Sequence, residues 1–477
     1  MSKPTSVGKN LAYQSAYQIL AVITPLVTAP YVSRMLGAKG LGEYSFAWTN
    51  ALYFSLFSML GVANYGCREI AKVQGDKEKR SLIFWNIYVI QIFMTCLMLV
   101  LYVLYVYLEV KDNSLLAFTQ IFVILGCFFD INWYFVGIEK FKITVTRNIV
   151  IKILTVFSVL LFVNKTTGTI GYSLVMSLGT FFSDIVLIPF LHGEVILIKP
   201  TWRNIKLHIQ PNIILFIPVL ASSIFHIMDK TMLGILSGST QLGYYVNADK
   251  VVNIPIGIIV GFGTVYLPRI SAMRNDEDEI CVQQELYRSL EVHSIIISAL
   301  SFGLAGIAIE FTPFFFGPGF EPCSILVISL IPAFFVKAYS NYVRSNILIP
   351  YGKDKQYTVA VVTGAVVNLL SNFYLIPQFK ALGAIIGTVL AEIIVFIFQL
   401  YKLPIKMTVK EITRHSSSYI IFGIIMYLFM RACALLYITT IIKIIIETVV
   451  GGGMYIICCC LYWKVRGVQN PVKPLFH

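Results

Sequence analysis

Charge is what this chain has least of. Asp, Glu, Lys and Arg make up 13% of its 477 residues, against about 25% in soluble globular domains, so a soluble fold is excluded at the outset. Long polar loops are missing too. On the side poor in Lys and Arg, no loop is long enough for the domain that membrane glycosyltransferases, polymerases and ligases use for surface chemistry, and none gathers His, Ser or carboxylates as a catalytic site does. Neither a filter loop nor a ring of charges marks a channel. The nine Cys follow no disulfide or zinc spacing; Cys458, Cys459 and Cys460 sit together in the last apolar segment and the others are scattered, which reads as packing. No metal site and no cofactor are expected. What remains is a transporter, not an enzyme, whose working parts lie within the membrane.

Hydrophobic residues fill 57% of the chain and the mean hydropathy is +0.78. A helix crosses the hydrocarbon core with about 20 mainly apolar residues. Fourteen segments qualify: 11–33, 44–66, 82–108, 115–138, 149–163, 168–190, 212–236, 241–268, 289–311, 322–345, 357–376, 381–401, 417–436 and 444–463. The fold class is therefore all-α, a polytopic membrane protein. The apolar stretch after Asn10 is too long and too continuous for a cleavable signal peptide. With the N-terminus inside, inner segments hold 25 of the 37 Lys and Arg, among them Arg68, Lys72, Lys77, Lys79, Arg80, Lys402, Lys406, Lys410 and Arg414. The outer segments hold seven: Arg34, Lys39, Lys111, Lys165, Lys380, Arg431 and Lys443. The positive-inside rule then places both termini in the cytoplasm. The net charge of +13 is spread over short loops rather than one patch, so nucleic acid is not expected as a partner.

The chain repeats itself after six segments. Met35-Leu36-Gly37 and Leu41-Gly42-Glu43-Tyr44 are echoed by Met232-Leu233-Gly234 and Leu242-Gly243-Tyr244-Tyr245, at offsets of 197 and 201. A weaker echo joins Ile170-Gly171 and Leu174 to Ile386-Gly387 and Leu390. Six is even, so the copies share one polarity, as in transporters built from two parallel halves. The expected organisation is a six-helix lobe over 1–205, a second over 206–405, a central cavity between them, and two further helices with a cytoplasmic tail over 406–477. Pro25, Pro30, Pro218 and Pro255 fall inside segments, where proline kinks a helix.

Charges inside spans cost about 2.5–3.5 kcal/mol each on insertion scales and face the bundle interior or a pathway. Here they are Asp130, Lys152, Asp184, Asp229, Lys230, Asp249, Lys250, Glu310, Lys337, Arg344 and Glu392. The doublets Asp229-Lys230 and Asp249-Lys250 lie at similar depth on consecutive spans; they either form a structural clamp or present a cation to an anionic ligand. Lys337, Asn341 and Arg344 follow i, i+4, i+7 and share one helix face. Two fixed cations with an amide suit phosphate or pyrophosphate. Asp130, Trp133 and Gly137 also share a face, which either contacts a sugar or places Asp130 against Lys152. Asp130, Asp184 and Glu392 are the carboxylates deep enough to couple transport to a proton, with Asp229 and Asp249 as structural or coupling partners.

Several segments carry a resemblance. Arg34-Met-Leu-Gly-Ala-Lys-Gly-Leu-Gly-Glu-Tyr44, Tyr65-Gly-Cys-Arg68-Glu-Ile-Ala-Lys72, and Asp130-Ile-Asn-Trp133-Tyr-Phe-Val-Gly137-Ile-Glu139-Lys-Phe-Lys142 with Thr146-Arg147-Asn148 are similar to bacterial polysaccharide repeat-unit flippases of the Wzx type. So are Asp229-Lys230-Thr-Met-Leu-Gly234, Gly263-Thr-Val-Tyr-Leu-Pro268-Arg269 and Leu348-Ile-Pro350-Tyr-Gly-Lys353-Asp-Lys355. Arg344 departs from the pattern, where a small residue is common. The resemblance implies the fold shared with MATE-like multidrug exporters and the lipid II flippase. It implies a lipid-linked oligosaccharide substrate, turned over in the bacterial inner membrane and carried on undecaprenyl pyrophosphate. It further implies a polysaccharide polymerase and a chain-length regulator as partners, and transport coupled to an H+ or Na+ gradient or to none. The anion would be met by Lys337, Asn341, Arg344, Arg34, Lys230 and Lys250, and the glycan by Trp133. The alternative is a MATE-like exporter of small organic cations, which calls for an acidic cavity.

Overall fold

The computed structural model describes residues 7–276, 279–401, 403, 408–436 and 438–467, so Lys402 and Lys406 lie outside the described residues. Backbone polar groups in hydrocarbon must be satisfied within their own segment, and helix is the form that this sequence takes. Contacts divide the chain into two compact units: Met1–Gly234 with Gly238–Gly243, and Ile235–Ser237 with Tyr244–His477. Eleven helices among the described residues are long and apolar enough to span a membrane.

The first unit opens with α1 (Val7–Met59), followed by α2 (Val62–Lys72), α3 (Lys77–Glu109), α4 (Ser114–Thr119), α5 (Ile121–Gly126), α6 (Asn132–Gly137), α7 (Phe141–Phe162), α8 (Gly168–Ile185) and most of α9 (Trp202–Ser237). The first two expected spans are joined in α1, which turns at Gly37 with φ 64° and ψ 178°. Leu60 and Gly61 at positive φ part α1 from α2. Asp76 caps α3 by accepting the Lys79 N–H at 3.0 Å, and that bond holds its carboxyl below the usual carboxylate range. The fourth expected span is not one helix but three short ones, α4, α5 and α6. Tyr65, Phe84, Trp133, Tyr134 and Leu187 pack into a core where α2, α3 and α6 meet.

The second unit holds most of α10 (Ser239–Asp276), then α11 (Glu279–Phe316), α12 (Glu321–Val343), a π-helical turn (Arg344–Leu348), α13 (Asp354–Phe379), α14 (Ala381–Leu400), α15 (Val409–Cys433) and α16 (Thr440–Arg466). Helices α15 and α16 pack against each other and against α11, around Tyr419, Met426, Met430, Tyr455 and Cys459.

The hinge of the repeat falls at a register that the triplet echo misplaces. Gly238, between α9 and α10, has φ 82° and ψ 170°, close to Gly37, and stands 201 residues after it. This spacing equals that of Gly42 and Gly243, and by it Met232-Leu233-Gly234 lies one turn before the counterpart of Met35-Leu36-Gly37. The residues at that spacing also meet reciprocally: a Cβ on Gly42 would strike the Ser239 carbonyl, and one on Gly243 would strike the Ala38 carbonyl. Only glycine permits that approach.

Candidate functional site

The stripe on α12 is built as its spacing predicts. Lys337, Asn341 and Arg344 are all half-exposed, whereas Ala338, Tyr339, Ser340, Tyr342 and Val343 are buried. The buried face is pinned to α11. Tyr339 donates to Ser294 Oγ at 3.0 Å, His293 Nε2 donates to the Ala338 carbonyl at 2.9 Å, and Tyr342 donates to the Leu286 carbonyl at 2.5 Å. Ser294 Oγ is in turn 2.9 Å from Ser416 Oγ of α15. These bonds fix the rotation of α12 and turn the stripe away from α11. Among the described residues, neither the Lys337 ammonium nor the Asn341 amide has a hydrogen-bond or ion-pair partner. The Arg344 guanidinium lies 5.0 Å over the Tyr357 ring of α13. Arg344 opens the π turn, in which Ile349 N–H reaches its carbonyl at 3.0 Å. Pro350 follows; its ring would press on a carbonyl one turn back in a regular helix, and the wider turn relieves it.

The broken span of unit 1 presents the other group of charges. Gln91 of α3 donates to the carbonyls of Cys127 at 2.6 Å and Asp130 at 2.9 Å, and accepts the Trp133 indole N–H at 3.1 Å. Tyr88 donates to the Phe128 carbonyl at 2.8 Å. Two side chains of a neighbouring helix thus satisfy backbone groups that the break sets free, the condition for irregular structure at membrane depth. Asp130 sits in the break and accepts the Asn132 N–H at 3.1 Å. The cation that faces Asp130 and Asp184 is Arg147, with Nη1 3.8 Å from Asp184 Oδ1. A Cβ on Gly126 would lie 2.9 Å from Asp184 Oδ2, so the carboxylate rests against bare backbone.

Trp133 is corrected from the glycan-facing position expected of it. It is 2% exposed, stacked on Phe84 at 5.5 Å and pressed on Gly66. The i, i+3 spacing from Asp130 does not put the two on one helix face, because the helix is interrupted at Asp130 and Ile131 and α6 begins at Asn132.

The remaining residues lie in both units. Arg34 is exposed and donates to the Pro30 carbonyl at 3.3 Å. Asp229 is buried and Lys230 half-buried in unit 1, whereas Asp249 and Lys250 are half-buried in unit 2, where Asp249 accepts from Asn253 Nδ2 at 2.6 Å. Glu392 is buried in α14. Unit 2 also holds an ion-pair cluster that no sequence spacing discloses. Arg431 of α15 grips Glu310 of α11 with bonds of 2.9 and 2.6 Å, donates to the Gly306 carbonyl at 2.8 Å, and lies 3.8 Å from the fully buried Glu447 of α16. Arg431 counts as an outer-loop cation by sequence, and Glu447 is missing from the in-span charges although it falls in the fourteenth segment. Gln91 was unmarked and Arg147 entered only through the resemblance; being one of two amides within the apolar α3, with Asn86, was the signal for the first.

Residues 7–274 match the family described as polysaccharide biosynthesis protein. An Escherichia coli (strain K12) protein that carries the provisional name O-antigen transporter is 23% identical over 397 residues, covering 82% of this chain and 95% of its own length. A solved structure of the lipid II flippase MurJ in an inward closed conformation superposes with a TM-score of 0.74 at 14% identity, covering 95% of this chain and 98% of its own. An inward-facing multidrug resistance MATE family transporter of the MOP superfamily reaches a TM-score of 0.62 at 11% identity, covering 86% and 96%. The fold is shared with the MurJ and MATE family structures, and the chain belongs to the polysaccharide biosynthesis protein family.

Proposed function

We propose that this protein is a flippase that moves undecaprenyl-pyrophosphate-linked oligosaccharide repeat units, of an O-antigen or capsule, from the inner to the outer leaflet of the bacterial inner membrane by alternating access. The α12 stripe carries the reading. Two cations at membrane depth that the described protein leaves without a counter-ion are costly, and a pyrophosphate supplies the missing charge with hydrogen-bond acceptors for Lys337, Asn341 and Arg344. A small organic cation would be repelled by the same stripe. The name of the Escherichia coli relative and the flippase fold of MurJ support the glycan and the lipid carrier. The Lys and Arg distribution supports cytoplasmic termini. Asp130, Asp184 and Glu392 are the carboxylates proposed to couple transport to a proton gradient.

The test is a strain lacking this protein, assayed for lipid-linked repeat units in the inner leaflet and for surface polysaccharide. Wild-type protein should clear the first and restore the second. Lys337→Ala, at equal protein level, should do neither. Normal surface polysaccharide with Lys337→Ala would remove the cationic site from the mechanism.

A further inference from the structure

One pocket in unit 1 is lined by none of the charges of the broken span. It measures about 200 Å³, the scale of one sugar ring rather than of an oligosaccharide, and it opens where the start of the second expected span meets the end of α3 and the start of α4. Its walls are aromatic: Phe46, Tyr102 and Tyr105. Phe54 packs edge-on to Tyr102 at 5.1 Å and lies 5.7 Å from Tyr105, and Tyr102 donates to the Ala117 carbonyl at 2.7 Å, so these rings are held in place. Its polar residues are Glu43, Asn50, Asp112, Asn113 and Ser239, beside the two tyrosine hydroxyls.

Their hydrogen-bonding capacity is largely open. Asn50 gives one N–H to the Tyr105 oxygen at 3.0 Å, which leaves its own carbonyl oxygen and the Tyr105 O–H unengaged. Glu43 is 18% exposed, and its ion pair with Lys39 is a loose 3.9 Å. Asp112 is exposed without a partner among the described residues. The pocket thus offers two carboxylates and amide oxygens as acceptors, the Tyr105 and Ser239 hydroxyls and amide N–H groups as donors, and flat apolar faces beside them. A pyranose presents the complement: hydroxyls that donate to carboxylates and amides, and a C–H face that lies on an aromatic ring. Two carboxylates disfavour an acidic sugar.

We propose that this pocket binds one uncharged sugar ring of the transported glycan. The inference rests on the flippase reading for its ligand, and on that topology the pocket opens toward the outer leaflet. It gives the glycan a site in unit 1 that is separate from the anion site of unit 2.

Saturation-transfer NMR on the full-length protein in detergent tests this directly, with glucose, galactose and N-acetylglucosamine as probes and glucuronate as the charged counterpart. Wild-type protein should transfer saturation to ring protons of at least one neutral sugar and not to glucuronate. Glu43→Gln combined with Tyr105→Phe should weaken the neutral-sugar signal about threefold to tenfold, the worth of one or two lost hydrogen bonds. Asp112→Asn, at an exposed position that folding does not depend on, should weaken it in the same direction if the double variant fails to fold. Lys337→Ala should leave the signal unchanged, so a failure of the anion site, read on lipid-linked repeat units, is distinguishable from a failure of the pocket. No transfer to any neutral sugar, equal transfer to glucuronate, variants that bind as wild type, or displacement of the sugar by tetraphenylphosphonium would each overturn the proposal.

Discussion

The broken span in unit 1 and the continuous α12 in unit 2 both carry charges at membrane depth, yet they treat them in opposite ways. Around Asp130, the protein answers most of its own polar groups, Asn132 Oδ1 excepted: Arg147 faces two carboxylates, and Gln91 and Tyr88 take up the carbonyls that the break exposes. On α12, the hydrogen bonds of Ala338, Tyr339 and Tyr342 lie on the face turned to α11, whereas Lys337 and Asn341 are without a partner among the described residues. A polar group that the fold satisfies contributes to holding the fold together; one that it leaves open is available to something that comes and goes. Function is thus sought where hydrogen bonding is incomplete, not where charge is densest.

The sharpest way to break this contrast is Gln91→Leu. The substitution removes the acceptor of the Trp133 indole and the donor to two carbonyls at once. Each orphaned group costs about 1–3 kcal/mol, so most of the stability of a typical domain is at stake. We expect folded protein to fall to a small fraction of wild type in size-exclusion chromatography of solubilised membranes. Wild-type amounts would show that the break does not depend on α3.

Lys337→Ala tests the other half. With no partner to orphan, the variant should accumulate and melt like wild type while surface polysaccharide falls at least about tenfold, the loss of one charge-assisted contact of 1.5–3 kcal/mol. Lys337→Arg should keep more activity, because charge matters more than shape in a hydrated site. Loss of folded protein in Lys337→Ala would erase the distinction between the two regions.

These two residues also mark how far the sequence can be read. The α12 stripe was legible because its helix is continuous, so i, i+4, i+7 spacing does define a face. The same reasoning failed for Trp133 because periodicity restarts at the break before α6, and that break is stabilised by Gln91, 42 positions before Trp133 in the chain. Nothing local to residues 127–131 announces it. The polytopic all-α class and the family were legible from composition and from ordered motifs, which need no tertiary information. Arg147 facing Asp130 and Asp184, and Arg431 on Glu310, are long-range pairs that spacing cannot disclose. For the repeat, the similar backbone angles of Gly37 and Gly238 favour the 201-residue register over the 197-residue one.

Asp130→Asn sharpens the comparison from within unit 1. The amide oxygen still accepts the Asn132 N–H, and Asp184 remains to pair with Arg147, so folded protein should stay close to wild type. If the spare carboxylate couples transport, reconstituted vesicles with labelled lipid-linked glycan should lose their response to a proton gradient in this variant and keep basal flipping. A response identical to wild type would leave Asp130 as a packing group, and unit 1 as wholly structural around its break.

The smallest effect is expected at Arg344, where the two treatments of charge meet in one side chain. Its guanidinium lies over Tyr357, a contact worth about 0.5–1 kcal/mol when partly exposed, and it also belongs to the open stripe. Arg344→Lys keeps the charge but gives up the flat stacking of the guanidinium. Melting temperature should drop by only a few degrees, and surface polysaccharide should change by about twofold to fivefold, the range that one such contact allows. Tyr357→Leu should reproduce the thermal shift without removing either cation. If Tyr357→Leu lowers stability while Arg344→Lys leaves transport untouched, Arg344 belongs with the satisfied charges, and the anion site contracts to Lys337 and Asn341.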